Sequence, residues 1–217
     1  MRNRKKHGVL SRILLLIILS AVIIFSSLIV FSSNIGDYYF GRKEYERSFA
    51  LYNLNYTVFS KHETLVKIYY ALELAEGIDA EELEYYPLLL EDQKTKQDST
   101  LYGLVLTSYL KDLYDISEFS EFKDYYYKHL NSLLNGENYI LILSPIVDIT
   151  NDKNASNEML EWSIDIVNEI IGIYKTNNTK SFGYYLQSMI YEKLGDTVKS
   201  QELLELSRTI PKNDGIE

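Results

Sequence analysis

From Ile13 to Phe31 the chain reads ILLLIILSAVIIFSSLIVF, apolar except for three serines, and no charged residue occurs between Arg12 and Asp37. A helix of about 20 apolar residues is long enough to cross the hydrocarbon core of a bilayer. Directly after this run the sequence continues SSNIGDYYFGRKEYERSFALYN (residues 32–53), with apolar and polar positions alternating at helical spacing and no Pro or flexible linker. That pattern predicts one helix that leaves the apolar run without a hinge and becomes the first helix of the body.

Helical signals recur beyond it. Ser60-Lys-His-Glu63 has the form of a capping box and is followed by Leu65, Ile68, Tyr69 and Leu72, with Gly77 as a stop. Asp79-Ala-Glu-Glu82 has the same form and opens a helix to about Leu90, tolerating Pro87 only as a kink or break. Asp98-Ser-Thr100 starts a stretch through Tyr114, and Ser117 starts another that ends at Gly136. The run YILILSPIV is expected to be a helix broken near Pro145, and TNDKNASN (150–157) a polar loop. Residues 158–176 carry two apolar stripes, Met159/Trp162/Ile166/Ile170/Ile173 and Leu160/Ile164/Val167/Ile171/Tyr174. A helix apolar on two faces is sandwiched between neighbours. The expected fold class is all-α.

Composition sharpens this. Ten Gly and three Pro in 217 residues favour helices, and the absence of Cys excludes disulfides, zinc–thiolate sites and a thiol nucleophile. All 31 acidic residues lie at or beyond Asp37, so the body is more acidic than the net charge of −9 for the whole chain. Such a body repels phosphate backbones, which argues against nucleic-acid binding, and should stand off anionic headgroups. Arg2, Arg4, Lys5, Lys6 and Arg12 precede the apolar run. Basic flanks stay on the cytoplasmic side, so the expected topology has the N-terminus inside and the body outside, with Tyr38, Tyr39 and Phe40 at the far interface. A cleavable signal has a shorter apolar core ending in small residues. Here Ile29, Val30 and Phe31 occupy that place, which favours a retained anchor, although Ser32 and Ser33 leave a secreted, cleaved form open. The expected organisation is a basic tail (1–12), a transmembrane helix (13–35) and a helical domain (36–217).

Near the end, YYLQSMIYEKLGDTVKSQELLELSRTIPKN (184–213) places Gly195-Asp196 between two helical segments. Tyr184, Ser188, Tyr191, Ser200, Leu204 and Ser207 follow the large and small positions of the tetratricopeptide repeat, which this segment resembles. Gln187 stands where the pattern has Leu, and Pro211 comes one residue early. Ile35-Gly36, Tyr39, Ser48 and Tyr52 repeat the same order at the other end. Turns near Lys43 and Gly195 accommodate four intervals of roughly 38 residues, hence about five α-hairpins, against roughly 34 residues for the regular repeat. The resemblance, to the membrane-anchored bacterial type, implies a non-catalytic adaptor or assembly factor that holds a protein or peptide in a groove. It implies Tyr185, Met189 and Glu192 as groove residues, no cofactor, no metal and no small-molecule substrate. An acidic groove would prefer basic or neutral segments.

Other chemistry is weak. His62-Glu63 lacks the second His of a zinc-protease motif, since Val66 stands there. Ser120-Glu-Phe-Lys123 has no companion motif, and the Asp148–Glu158 segment lacks the Gly and final Glu of a calcium loop. Asn55, Asn154 and Asn177 begin glycosylation sequons, matched by chance in an Asn-rich chain. An anchored envelope enzyme remains the alternative from another class. Twenty tyrosines, many paired, suit either repeat packing or partner contact. A reporter that functions only outside the cytoplasm, fused after residue 60, is expected to be active, and one that functions only inside is expected to be silent. The reverse pattern would invert the topology.

Overall fold

The computed structural model describes residues 3–75, 83–134 and 139–211. Among the described residues it contains eleven α-helices and no strand. They fall into two compact units, residues 1–98 and 99–217.

The first unit is organised by α1 (Asn3–Gly41), one uninterrupted helix that carries the whole apolar run and continues past it, as the missing hinge predicted. From Leu14 to Leu28 its large apolar side chains are exposed, whereas Ile29 is half-buried and Ser32 fully buried. The change occurs where α2 (Tyr45–Phe59) folds back antiparallel alongside it. Lys43 takes a left-handed conformation (φ 63°) at this reversal. Glu44 is held between Arg42 and Arg47 at 3.0 and 2.6 Å. The two helices meet very closely: a Cβ on Gly36 would lie 2.5 Å from Cε1 of Tyr52. The Ser48 hydroxyl donates to the Gly36 carbonyl (3.0 Å), and the Tyr52 hydroxyl donates to Asp37 (2.8 Å). Glycine and serine therefore do at this crossing what small residues do at any tight helix pair, and Tyr52, 2% exposed, fills the space beside them.

α3 (His62–Leu74) packs on α2 through Leu65, Ile68, Tyr69, Ala71 and Leu72. It is followed by the short α4 (Tyr85–Glu91) and α5 (Gln93–Gln97). Ser60 is not the N-cap that its sequence context suggested. It ends α2 in a left-handed conformation (φ 47°), with its hydroxyl turned back toward the Tyr56 carbonyl, and α3 begins after Lys61 with no side-chain cap. Because α2 runs right up to the corner, residue 60 has to reverse the chain and cannot also reach forward to Glu63. The proposed stop at Gly77 and capping box at Asp79–Glu82 lie outside the described residues, as does the stop at Gly136.

The second unit comprises α6 (Ser99–Asp115), α7 (Phe119–Leu134), α8 (Tyr139–Asn151), α9 (Asn157–Tyr174), α10 (Asn177–Lys193) and α11 (Thr197–Thr209). Each helix contacts the next, and α8 additionally contacts both α6 and α10. α8 passes through Pro145 unbroken. A proline inside a helix costs about 3 kcal/mol, but Ile142, Leu143, Ile146 and Ile149 are all buried and hold the backbone on course. The polar loop shortens to residues 152–156, closed by Ser156, whose hydroxyl caps α9 by accepting from the Met159 N–H. In α9 both stripes are buried through Ile170, as expected of a sandwiched helix, while Ile173 is 45% exposed. Thr176 and Asp196 cap α10 and α11, and Gly195 (φ 85°) supplies the left-handed turn between them.

The Gly36 contact gives a direct test. Helix propensity alone would make alanine better than glycine by about 0.8–1 kcal/mol. At Gly36 the Tyr52 ring, buried and tied to Asp37, has nowhere to retreat. Gly36→Val is expected to cost about 1–3 kcal/mol, as overpacking does, while Gly41→Ala, with nothing within 4 Å of its Cβ, should be neutral or slightly stabilising. Thermal melts of the full chain in detergent compare the two; equal melting of both variants would mean that the crossing has slack.

Candidate functional site

The three residues singled out for partner contact stand on α10, where Asn178, Phe182, Tyr185, Met189 and Glu192 recur at helical i+3/i+4 spacing. The helix is fixed from several sides. The buried Gln187 amide donates to Asn168 Oδ1 of α9 at 2.7 Å, so the position where the repeat pattern has Leu is filled by a matched polar pair. Ser181 donates to the Ser207 carbonyl of α11 at 2.7 Å, and Lys193 to the Asp152 carbonyl at 2.5 Å. Ser188, Ser200 and Ser207 are buried, in line with their assignment as small packing positions.

Beside the Ser181–Ser207 contact, α10 and α11 leave an open depression of about 460 Å³, lined by Asn178, Ser181, Phe182, Tyr185, Leu204, Ser207 and Arg208. Tyr185 is 45% exposed at its edge. Met189, half-buried, and Glu192, exposed, continue the same stripe along α10 but do not line the depression. The structure thus brings Tyr185 together with Phe182, Leu204 and Arg208, three residues that sequence reasoning did not assign to contact. Phe182 shares the α10 stripe with Tyr185 and was legible from spacing, whereas Leu204 and Arg208 stand on α11 and were not. The lining holds the cation Arg208 and no carboxylate, so the acidic character expected of the groove enters only at Glu192, farther along the stripe.

Several of the other tyrosines join helices. In four places a phenol donates to a carboxylate on another segment of the same unit: Tyr52 to Asp37 (2.8 Å), Tyr86 to Glu73 (2.9 Å), Tyr109 to Glu121 (2.8 Å) and Tyr114 to Asp152 (2.8 Å). Burial, together with Asp37 as acceptor, pushes the Tyr52 phenol up to about 12. Burial, then the Glu121 bond, raises Tyr109, and burial with the Asp152 bond raises Tyr114. Asp152 is held low by the Asn154 backbone N–H and next by the Tyr114 hydroxyl. In the triplet 125–127, Tyr126 is fully buried, donates to the Ile142 carbonyl (2.9 Å) and meets Trp162 edge-on, while Tyr127 accepts from the Trp162 indole N–H (3.1 Å). Tyr102 meets His129 in a second buried polar contact.

Comparison of the chain with protein-family models, curated proteins and solved structures gives no match. Among the described residues no group of three or more His, Cys, Asp or Glu is placed to hold a metal ion.

Tyr191, placed in the core by the repeat pattern, is half-buried in the structure, as is Tyr184. Among the paired tyrosines the core residues are Tyr69, Tyr85, Tyr86 and Tyr126, with Tyr86 and Tyr126 only 1% exposed. Tyr126→Ala is expected to cost about 3–5 kcal/mol, the range for removing a large buried aromatic. Tyr185→Ala should stay within about 1 kcal/mol, as surface changes usually do. Denaturant titration of the two variants reads the difference, and a Tyr185 variant as unstable as the Tyr126 variant would make Tyr185 a packing residue.

Proposed function

We propose that the chain is a single-pass membrane-anchored adaptor whose helical-hairpin domain, outside the cytoplasm, holds a protein or peptide partner. The observation that carries this reading is the partly exposed aromatic ridge of α10 beside the depression toward α11, where Tyr185 stands out from a helix otherwise locked by its neighbours. Tyrosine contributes large contact area at low entropy cost and pairs apolar burial with a hydroxyl, which makes it an effective anchor for a bound segment.

Two further features support the reading. In the second unit α8 touches the helices one and two steps before and after it, the neighbour pattern of stacked α-hairpins such as tetratricopeptide repeats. In the first unit α1 contains one stretch, Leu14–Gly41, long and apolar enough to cross a membrane. With basic residues before the apolar run and every acid at or beyond Asp37, that stretch favours an anchor with the N-terminus inside. The depression suits an apolar or aromatic partner side chain seated against Phe182, Tyr185 and Leu204. Arg208 at its rim favours an acceptor group beside that side chain.

A photo-crosslinking residue placed at Met189 in the full chain, in intact cells, is expected to give a discrete protein adduct. Tyr185→Ala in the same background should abolish it without shifting the melting temperature. The same residue placed at Val198, 68% exposed on α11, should give none. Equal adducts at Met189 and Val198, or survival of the Met189 adduct in Tyr185→Ala, would remove the α10 face as the binding surface.

A further inference from the structure

The corner between α2 and α3 points back along the apolar helix, and four hydrogen bonds fix how far. Asn55 Nδ2 donates to the Ile29 carbonyl (3.2 Å), Ser48 to the Gly36 carbonyl (3.0 Å), and Lys67 Nζ reaches Ser33 Oγ (3.2 Å) and Asp37. Since α2 is antiparallel to α1, the four residues beyond Asn55 carry α2 about 6 Å farther toward the N-terminal end of α1. That places Phe59 at the level of Phe25, inside the exposed stretch of α1 that is apolar apart from its serines.

The corner itself matches this surroundings. Residues 48–60 contain no charge, and Leu54, Val58 and Phe59 are 37%, 52% and 39% exposed. Leu54 and Val58 lie one turn apart on one face. The charges begin at Lys61, whose ammonium lies 5.5 Å from the centre of the Phe59 ring. Glu63 follows, exposed and paired with Lys94 at 3.1 Å. The polar groups that face α1 are satisfied internally: Asn55 and Thr64 are buried, with Thr64 donating to Asn55 Oδ1 at 3.1 Å. What the corner presents outward is thus an apolar tip collared by charges, the profile of a segment resting in the headgroup region of a bilayer.

We infer that the α2–α3 corner is a second membrane contact, with Leu54, Val58 and Phe59 seated in the interfacial layer of the leaflet from which α1 emerges. The occupant is lipid because the exposed apolar surface of α1 runs on, at the same level, into the exposed apolar tip of α2. The inference rests on the reading of α1 as a membrane span. It replaces a body that stands clear of the bilayer with one whose first unit rests on it, and it moves the exit point of α1 from Tyr38–Phe40 to near Leu28.

The chain has no cysteine, so single cysteines can be labelled with an environment-sensitive fluorophore in the full-length protein. Val58→Cys, Ile24→Cys and Val198→Cys are reconstituted in phosphatidylcholine/phosphatidylglycerol vesicles that carry nitroxide lipids. The label at 58 should emit to the blue of the label at 198 and be several-fold more quenched, most strongly by nitroxide near the headgroup. The label at 24 should be quenched by nitroxide deeper in the acyl chains. Quenching at 24 with a water-like signal at 58 would overturn the corner contact while leaving the span intact. A water-like signal at both positions would overturn the span and the corner with it. A blue-shifted label at 58 that no lipid nitroxide quenches would mean that protein, either a partner or a second copy, covers the corner, and the lipid assignment would fail.

Discussion

The absence of a side chain at Gly36 is the constraint on which the first unit depends. With no Cβ in the way, one edge of the Tyr52 ring closes on α1 at Gly36, and Ser48 and Asn55 come close enough to bond carbonyls of this largely apolar helix. Those carbonyls already accept bonds within α1, so the added donors cost α1 nothing in its own ladder. They give α2 a fixed register on it. A long apolar helix joined to a domain only by its chain terminus would swivel freely. Here about the last three turns of α1 are part of the domain core, and α3 reaches the same turns through Lys67.

Tyrosine is the recurrent means of joining helices in this acidic chain. A buried carboxylate without a partner is costly, and a buried phenylalanine cannot help it. A tyrosine fills the same volume and brings a donor at the end of a rigid ring, so each phenol–carboxylate pair buries apolar area while keeping the acid hydrogen-bonded at the rim of the core. Four of the twenty tyrosines are used in this way. Helical spacing also separates two roles within adjacent pairs, because consecutive helical positions point about 100° apart. In the pair 185–186 of α10 this sends Tyr185 outward and Leu186 into the core.

Much of the architecture was legible because it rests on local rules. The unbroken α1 follows from the lack of Pro or linker residues after Phe31, the turn at Gly195 from its need for positive φ, and the sandwiched α9 from two apolar stripes. The misread features depend on tertiary context. Ser60 has a good capping sequence, but the length of α2 fixes its backbone as a reversal. Pro145 is a local breaker overridden by four buried neighbours. At the candidate site, the stripe through Tyr185, Met189 and Glu192 could be read from spacing alone. The depression toward Leu204 and Arg208 could not, since it depends on how α11 leans against α10.

On the inferred corner contact, the Asn55–Ile29 bond would also act as a depth stop. Where α1 lies in a bilayer, the corner beyond Asn55 limits how much of the helix can sink into hydrocarbon, leaving roughly 16 residues from Ile13 to Leu28, or about 24 Å of helix. An average hydrocarbon core is about 30 Å thick. The mismatch cannot be relieved on the body side without drawing charged Lys61 and Glu63 into the hydrocarbon. With the corner at the surface, relief would have to come from local thinning of the bilayer, which favours thin membranes over thick ones.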